Sequence, residues 1–212
     1  MPADFPAEPF VVGATHRSST VTLRDRLFID ESAAPHFFQL LTAAGVRQAL
    51  VLSTCDRVEV QGMAPAPDAA IAAARTALAR RAGLDPAEIA GQLEEFSADA
   101  AARRIFAVAA SLESQVIGES QVLGQVKAAH RLAGKYGMVG PELEGCLQAA
   151  YGAAKRVRSE TPIAERPVTM ASGAVQVARD MHGDLSGAAG LLVGLGDMGD
   201  LIAGHVDRKS VV

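Results

Sequence analysis

The sequence predicts an α+β N-terminal domain with long linking helices, followed by the first strand, turn and helix of an incomplete Rossmann-like α/β domain. Three observations carry this reading. Short apolar runs with strand character lie at Phe10–Gly13, Ala49–Leu52 and Val58–Gln61. From Ala98 the sequence is helical almost to its end, punctuated by Gly118, Gly140-Pro141 and Thr161-Pro162. Finally, the apolar run Leu191-Leu192-Val193 is followed at once by Gly194-Leu195-Gly196-Asp197-Met198-Gly199, the spacing of a turn that meets a dinucleotide pyrophosphate at a helix N-terminus.

Taken in order, Phe10-Val11-Val12-Gly13 reads as a buried strand and Thr15 to Thr20 as a polar loop. Val21 to Leu27 opens a short helix. Ser32 to Ala44 is a longer one, with Phe37, Leu40, Leu41 and Ala44 on one face and Gly45 as its stop. Two strands follow, the second alternating as Val58-Glu59-Val60-Gln61, with Ser53-Thr54-Cys55-Asp56-Arg57 between them. Ala69 to Ala82 places Ile71, Ala74, Leu78 and Ala82 on one face and closes on Gly83. Asp85-Pro86 is an N-cap followed by proline at the first helical position. Phe96 belongs to a third strand region. The helix after the glycine turn runs from about Met198 to His205.

Composition sets limits. The chain has 212 residues, enough for one to one and a half domains. Hydrophobic residues make up 49%, but aromatics only 4%, and Trp is absent, so Ala, Leu and Val must fill the core. The net charge of -4 supplies no global field to gather nucleic acid, and any such contact must be local. Two cysteines are too few for a disulfide framework and point to a reduced compartment. Met1 to Pro9 has no signal-peptide pattern, and no apolar run is long enough to span a bilayer. The expectation is a soluble cytoplasmic protein with no membrane partner.

The chemistry concentrates around Cys55. It stands in a polar loop between two strands, beside Thr54 and Arg57, where a scaffold can present a nucleophile. A neighbouring guanidinium favours the reactive thiolate and is also suited to a substrate carboxylate. The residue types leave open a second reading, a small buried residue at a strand end. Cys146, among Leu143 and Leu147, reads as structural. A second polar cluster comprises Glu113, Ser114, Gly118, Glu119, Ser120, Gln121, Gln125 and Lys127. It suits either a solvated helix start or a polar pocket. Lys155, Arg156 and Arg158 read first as a solvated helical face. The five histidines show no metal spacing, so no metal site is expected.

Several stretches together resemble the glutamyl-tRNA reductase family, which opens the five-carbon route to tetrapyrroles. They are Val12-Gly13-Ala14-Thr15-His16, Ser53-Thr54-Cys55-Asp56-Arg57, Leu112-Glu113-Ser114 with Gly118 through Lys127, Lys155 through Thr161, and the turn from Gly194 to Gly199. The resemblance implies an enzyme in which Cys55 attacks the carbonyl of glutamate esterified to its tRNA. The tRNA leaves, and NADPH reduces the resulting thioester to glutamate-1-semialdehyde. It assigns substrate binding to Thr54, Asp56, Arg57, Ser114, Glu119, Ser120, Gln121 and Gln125. Cofactor binding falls to Gly194, Leu195, Gly196, Asp197, Met198 and Gly199. Glutamyl-tRNA is the implied partner, the aminomutase that consumes the semialdehyde a second, and the complete family forms homodimers through a domain for which no sequence stands here.

Three positions depart from the family pattern. Asp56 replaces the usual Asn and sets a negative charge beside the thiol, opposing its ionisation. Ser120 replaces a proline. Arg104 falls where an active-site His is common, and Arg cannot act as a base at neutral pH. On this reading residues 1–161 form the catalytic domain with its linking helix, and residues 162–212 an incomplete NADP-binding domain. The expected function is NADPH-dependent reduction of glutamyl-tRNA, with the chain truncated and impaired. The alternative is an inactive remnant that keeps glutamyl-tRNA binding or esterase-like activity. An unrelated dehydrogenase would leave the Gly118 to Lys127 block unexplained.

Overall fold

The computed structural model describes residues 7–119, 121–164 and 170–189, with Leu191 and Val193. Its elements are β1 (Glu8–Thr15), α1 (Val21–Leu27), α2 (Ala34–Ala43), β2 (Gln48–Ser53), β3 (Arg57–Ala64), α3 (Pro67–Ala82), α4 (Pro86–Ile89), β4 (Glu94–Ser97), α5 (Ala98–Ala109), α6 (Gln121–Lys135), α7 (Pro141–Glu160) and α8 (Met170–His182). The four strands form one antiparallel sheet in the order β2-β3-β1-β4.

Local chemistry sets many of the boundaries. Thr20 caps α1 through the Leu23 amide at 3.2 Å. Gly83 ends α3 in the left-handed region at φ 65°, where a side chain would be strained. Asp85 accepts from the Ala87 amide, and Glu88 reaches back to the Asp85 amide at 2.7 Å, closing a reciprocal cap. Phe96 lies on β4, which pairs with β1.

Successive residues of β1 and β3 are buried, so both faces of the sheet centre are covered. Helices α3 and α5 pack on β1, and α6 packs on β2. The segment between α6 and α7 also reaches the β2 edge, where the Ala49 amide donates to the Met138 carbonyl at 3.0 Å. Phe10, Phe37, Leu41, Leu50, Leu78, Ile105, Leu143 and Leu147 anchor the core. Between the helices, Ala74, Ala101, Ala133, Ala150 and Ala154 are fully buried. Small residues therefore set the interhelical contacts, as the scarcity of aromatics requires.

Two expectations need correction. The helical run from Ala98 is broken: α5 ends at Ala109, and residues 110–119 form an irregular segment. Ser111 turns the chain at φ 61° and Gly118 at φ 85°. Ser111 then closes the segment, its hydroxyl donating to the Glu119 carbonyl at 2.8 Å. The second concerns the short strand expected at residues 191–193, of which Leu192 lies outside the described residues. Leu191 and Val193 lie in no strand and are 90% and 87% exposed. Among the described residues no parallel strand lies beside them to take up their backbone groups. The glycine turn from Gly194 to Gly199 and its helix lie outside the described residues, as does Ser120.

Candidate active site

The loop joining β2 to β3 is folded by its own polar groups. The Thr54 amide donates to the Arg57 carbonyl at 2.8 Å. The Thr54 hydroxyl in turn accepts from the amides of Asp56 and Arg57 at 3.2 and 3.3 Å. This arrangement leaves Cys55 exposed at the tip. Arg24 of α1, itself buried, donates from Nε to the Cys55 carbonyl at 3.4 Å and from Nη1 to the Ser19 carbonyl at 2.8 Å. The Asp56 carbonyl accepts from the His16 amide at 2.8 Å. Its carboxylate accepts from Gln115 twice, from the amide at 3.1 Å and from Nε2 at 2.7 Å. The loop is therefore fastened to the end of β1, to α1 and to the irregular segment 110–119.

Those elements enclose a cavity of about 310 Å³. Thr54, Cys55, Asp56 and Arg57 line one side. Ser114, Glu119, Gln121 and Gln125 line the other, with Phe28, Leu52, Val116 and Val122 supplying apolar surface. Seven of the eight expected substrate-site positions thus meet Cys55 around one space, and the eighth, Ser120, is outside the described residues. The glycine turn expected to hold a cofactor cannot be placed against this cavity, for the same reason.

The electrostatics differ from the expectation for Arg57. Burial around the sulfur pushes the Cys55 thiol up, and the carboxylates of Asp56 and Glu119 push it further. The effect anticipated at Asp56 is present. No compensating pull from Arg57 accompanies it, because that guanidinium is turned into the protein. Arg57 is 2% exposed. Its Nη1 meets Glu59 at 3.2 Å and its Nη2 donates to the Glu113 carbonyl. Glu119 is also held above the ordinary carboxylate range, by burial first and then by Asp56.

Behind Arg57 lies a buried charge network. Glu59 takes Arg57 and Arg104 on one carboxylate oxygen, with Arg104 Nη2 at 2.5 Å, and Gln61 on the other at 3.0 Å. Arg104 further pairs with Glu94 at 3.2 Å and Glu113 at 3.1 Å, and lies 5.4 Å from the Phe96 ring centroid. Burial opposes its charge, but the three carboxylates outweigh it and hold the guanidinium above its ordinary value. Arg104 is thus a fixed counter-ion, not a proton carrier. Sequence reasoning missed Glu59, Arg24 and Gln115. The alternation around Glu59 marked its strand, but its side chain is buried by partners up to 45 residues away.

His16 stands close to this loop. Burial holds its imidazole below the ordinary value against the opposing pull of Asp56, and its Nδ1 has no hydrogen-bond partner among the described residues.

Comparison with known proteins gives the chain its relatives. The family model described as "Glutamyl-tRNAGlu reductase, N-terminal domain" matches residues 12–161. A glutamyl-tRNA reductase of Rhodospirillum rubrum is 46% identical over 201 residues, covering 95% of this chain and 47% of that protein. One from Magnetococcus marinus is 43% identical, with 95% and 48% covered. The solved structure of glutamyl-tRNA reductase from Methanopyrus kandleri superposes with a TM-score of 0.63 at 29% identity, over 94% of this chain and 47% of that one. The chain spans about half the length of the curated relatives it matches.

Proposed function

The chain belongs to the glutamyl-tRNA reductase family, a family of oxidoreductases in porphyrin biosynthesis, and we propose that its cavity is the acyl-transfer site at which the glutamyl group passes from tRNA to Cys55. The observation that carries this reading is that Cys55, presented at the tip of its loop, shares one cavity with Ser114, Glu119, Gln121 and Gln125. The sulfur attacks the ester carbonyl carbon. A carbon–sulfur bond forms, the carbon–oxygen bond to the terminal ribose breaks, and that oxygen leaves as a hydroxyl.

The thiol proton must be taken up and the departing oxygen protonated. Glu119 is the group we assign to both transfers. Its carboxyl faces the same cavity as Cys55, and its raised pKa suits proton exchange closer to neutral pH. Arg104 cannot serve, since it stays charged and is committed to three carboxylates. Gln121, Gln125, Ser114 and Thr54 offer donors and acceptors for the glutamyl group, while Arg57 positions the loop from behind.

NADPH, when bound, supplies the hydride that reduces the thioester to glutamate-1-semialdehyde. The turn from Gly194 to Gly199, which lies outside the described residues, would hold its pyrophosphate. The contribution of the described residues is to form, shield and orient the acyl-enzyme. The test is acid-quench trapping of label from [14C]glutamyl-tRNA on the protein. Label retained by the chain and lost in Cys55→Ser supports the assignment. Label retained by Cys55→Ser overturns it.

A further inference from the structure

A second cavity, about 690 Å³ and open to solvent, lies between α6 and α7. Its cations are Lys127 from α6 and Lys155 and Arg158 from α7, and no carboxylate lines it among the described residues. In a chain of net charge -4, a groove of one sign is a local departure from the average. Residues 151, 155 and 158 recur on one helical face. Arg156, their neighbour in sequence, is turned aside and paired with Glu160 at 3.0 Å. The basic run is thus divided, with two of its three cations facing the groove.

The groove floor is held in place. Tyr151 lies under Lys127, whose Nζ is 5.4 Å from the ring centroid. The Tyr151 hydroxyl meets His130 Nδ1 at 3.1 Å, and His130 Nε2 meets Glu144 at 3.0 Å. An aromatic fixed from behind and flanked by cations fits a strand of phosphates and bases. Position favours the same ligand. Helix α6 is the common wall of both cavities, with Gln121 and Gln125 facing Cys55 and Leu123 and Lys127 facing the groove. Arg158 also donates to the Gly118 carbonyl at 3.3 Å, one residue before Glu119.

Building on the acyl-transfer reading above, we propose that the α6–α7 groove binds the phosphodiester backbone of the RNA whose terminal ester is presented to Cys55. Lys127 and Lys155 contact phosphates, and a base stacks on Tyr151 as Lys127 swings from the ring to its phosphate. The groove then holds the leaving group while the cavity holds the acyl group.

The test compares the full 212-residue chain with Lys127→Glu/Lys155→Glu, both side chains being exposed. Binding of unacylated tRNAGlu and of a short single-stranded RNA ending in CCA is measured across a salt series. The double variant should bind at least tenfold more weakly at 0.1 M salt. Its slope of log affinity against log salt should be shallower by about 1.4, from roughly 0.7 per lost single-strand phosphate contact. Transfer of glutamate to Cys55 from a small glutamyl thioester should be unchanged. Equal RNA affinity and slope in the two proteins would overturn the groove assignment, as would no RNA binding by the unmodified chain. Competition by poly-glutamate, lost in the variant while RNA binding persists, would reassign the groove to an acidic protein segment. Loss of small-thioester transfer in the unmodified chain would instead strike the acyl-transfer reading, so the two failures are distinguishable.

Discussion

Gly13 on β1 stands directly across from Glu59 on β3, and a Cβ built on Gly13 would lie 2.6 Å from Glu59 Cα and 2.9 Å from its Cγ. The absence of a side chain at residue 13 is what lets the Glu59 carboxylate reach both Arg57 and Arg104. Gly13→Ala should destabilise the fold by about 1–3 kcal/mol, as overpacking does, and should loosen the Cys55 loop through Arg57. Urea denaturation checks the first effect. An unchanged midpoint would mean that the strands shift apart without loss.

Arg104→Met removes the main partner of a carboxylate that is 1% exposed. Breaking one side of a buried ion pair costs about 3–5 kcal/mol, because the remaining charge is left uncompensated. We expect a loss of that order by equilibrium unfolding, with partial recovery in Arg104→Met/Glu59→Gln. A single variant as stable as the parent would show that the network adds nothing.

The Cys55 thiol is raised by burial, then by Asp56 and Glu119. The thiolate fraction at neutral pH is therefore below that of a free cysteine, and alkylation should accelerate as pH rises through the alkaline range. Asp56→Asn removes one negative neighbour, so the Cys55 pKa should fall. Labelling at pH 8 should then quicken by about two- to tenfold, one pKa unit being tenfold. Cys146, half-buried on α7, should label more slowly than Cys55 and be indifferent to the change. Slower labelling of Cys55 in Asp56→Asn would reverse the sign assigned to this carboxylate.

Glu119→Gln keeps the size and polarity of the side chain but cannot exchange a proton. Acyl transfer from glutamyl-tRNA should slow by about 100-fold or more, in the range of general acid–base catalysis, with tRNA affinity little changed. The acidic limb of the pH–rate profile should vanish as well. A rate within threefold of the parent, with that limb intact, would remove Glu119 from proton transfer.

Much of this was legible in the sequence wherever the cause is local. The strands flanking Cys55, the αL stop at Gly83 and the Asp85 cap all follow from residues a few positions apart. The set that gathers around Cys55 followed from family resemblance, not from spacing. What escaped depends on long-range partners. Arg57 reads as a free guanidinium beside a thiol until Glu59 and Glu113 are seen to claim it. The break after Ala109 is hidden because Ser111 enters the left-handed region without a glycine to announce it. Lys155, Arg156 and Arg158 look alike in sequence, and only the packing of α7 on its neighbours separates their directions.

Asp56 joins three pieces of chain: it sits in the loop, its carbonyl holds the His16 amide, and its carboxylate holds the Gln115 amide. The carbonyl tie cannot be released without moving the loop that carries Cys55, and the carboxylate tie is made by the same residue. Opening to admit or discharge a bulky ester should then be a concerted event, not the swing of a single flap. In hydrogen–deuterium exchange Asp56→Ala removes the carboxylate that holds Gln115 but keeps the backbone carbonyl that holds His16; loss of protection at the His16 amide as well, 99 residues away in sequence, is the signature of concerted opening, and protection retained there would rule it out.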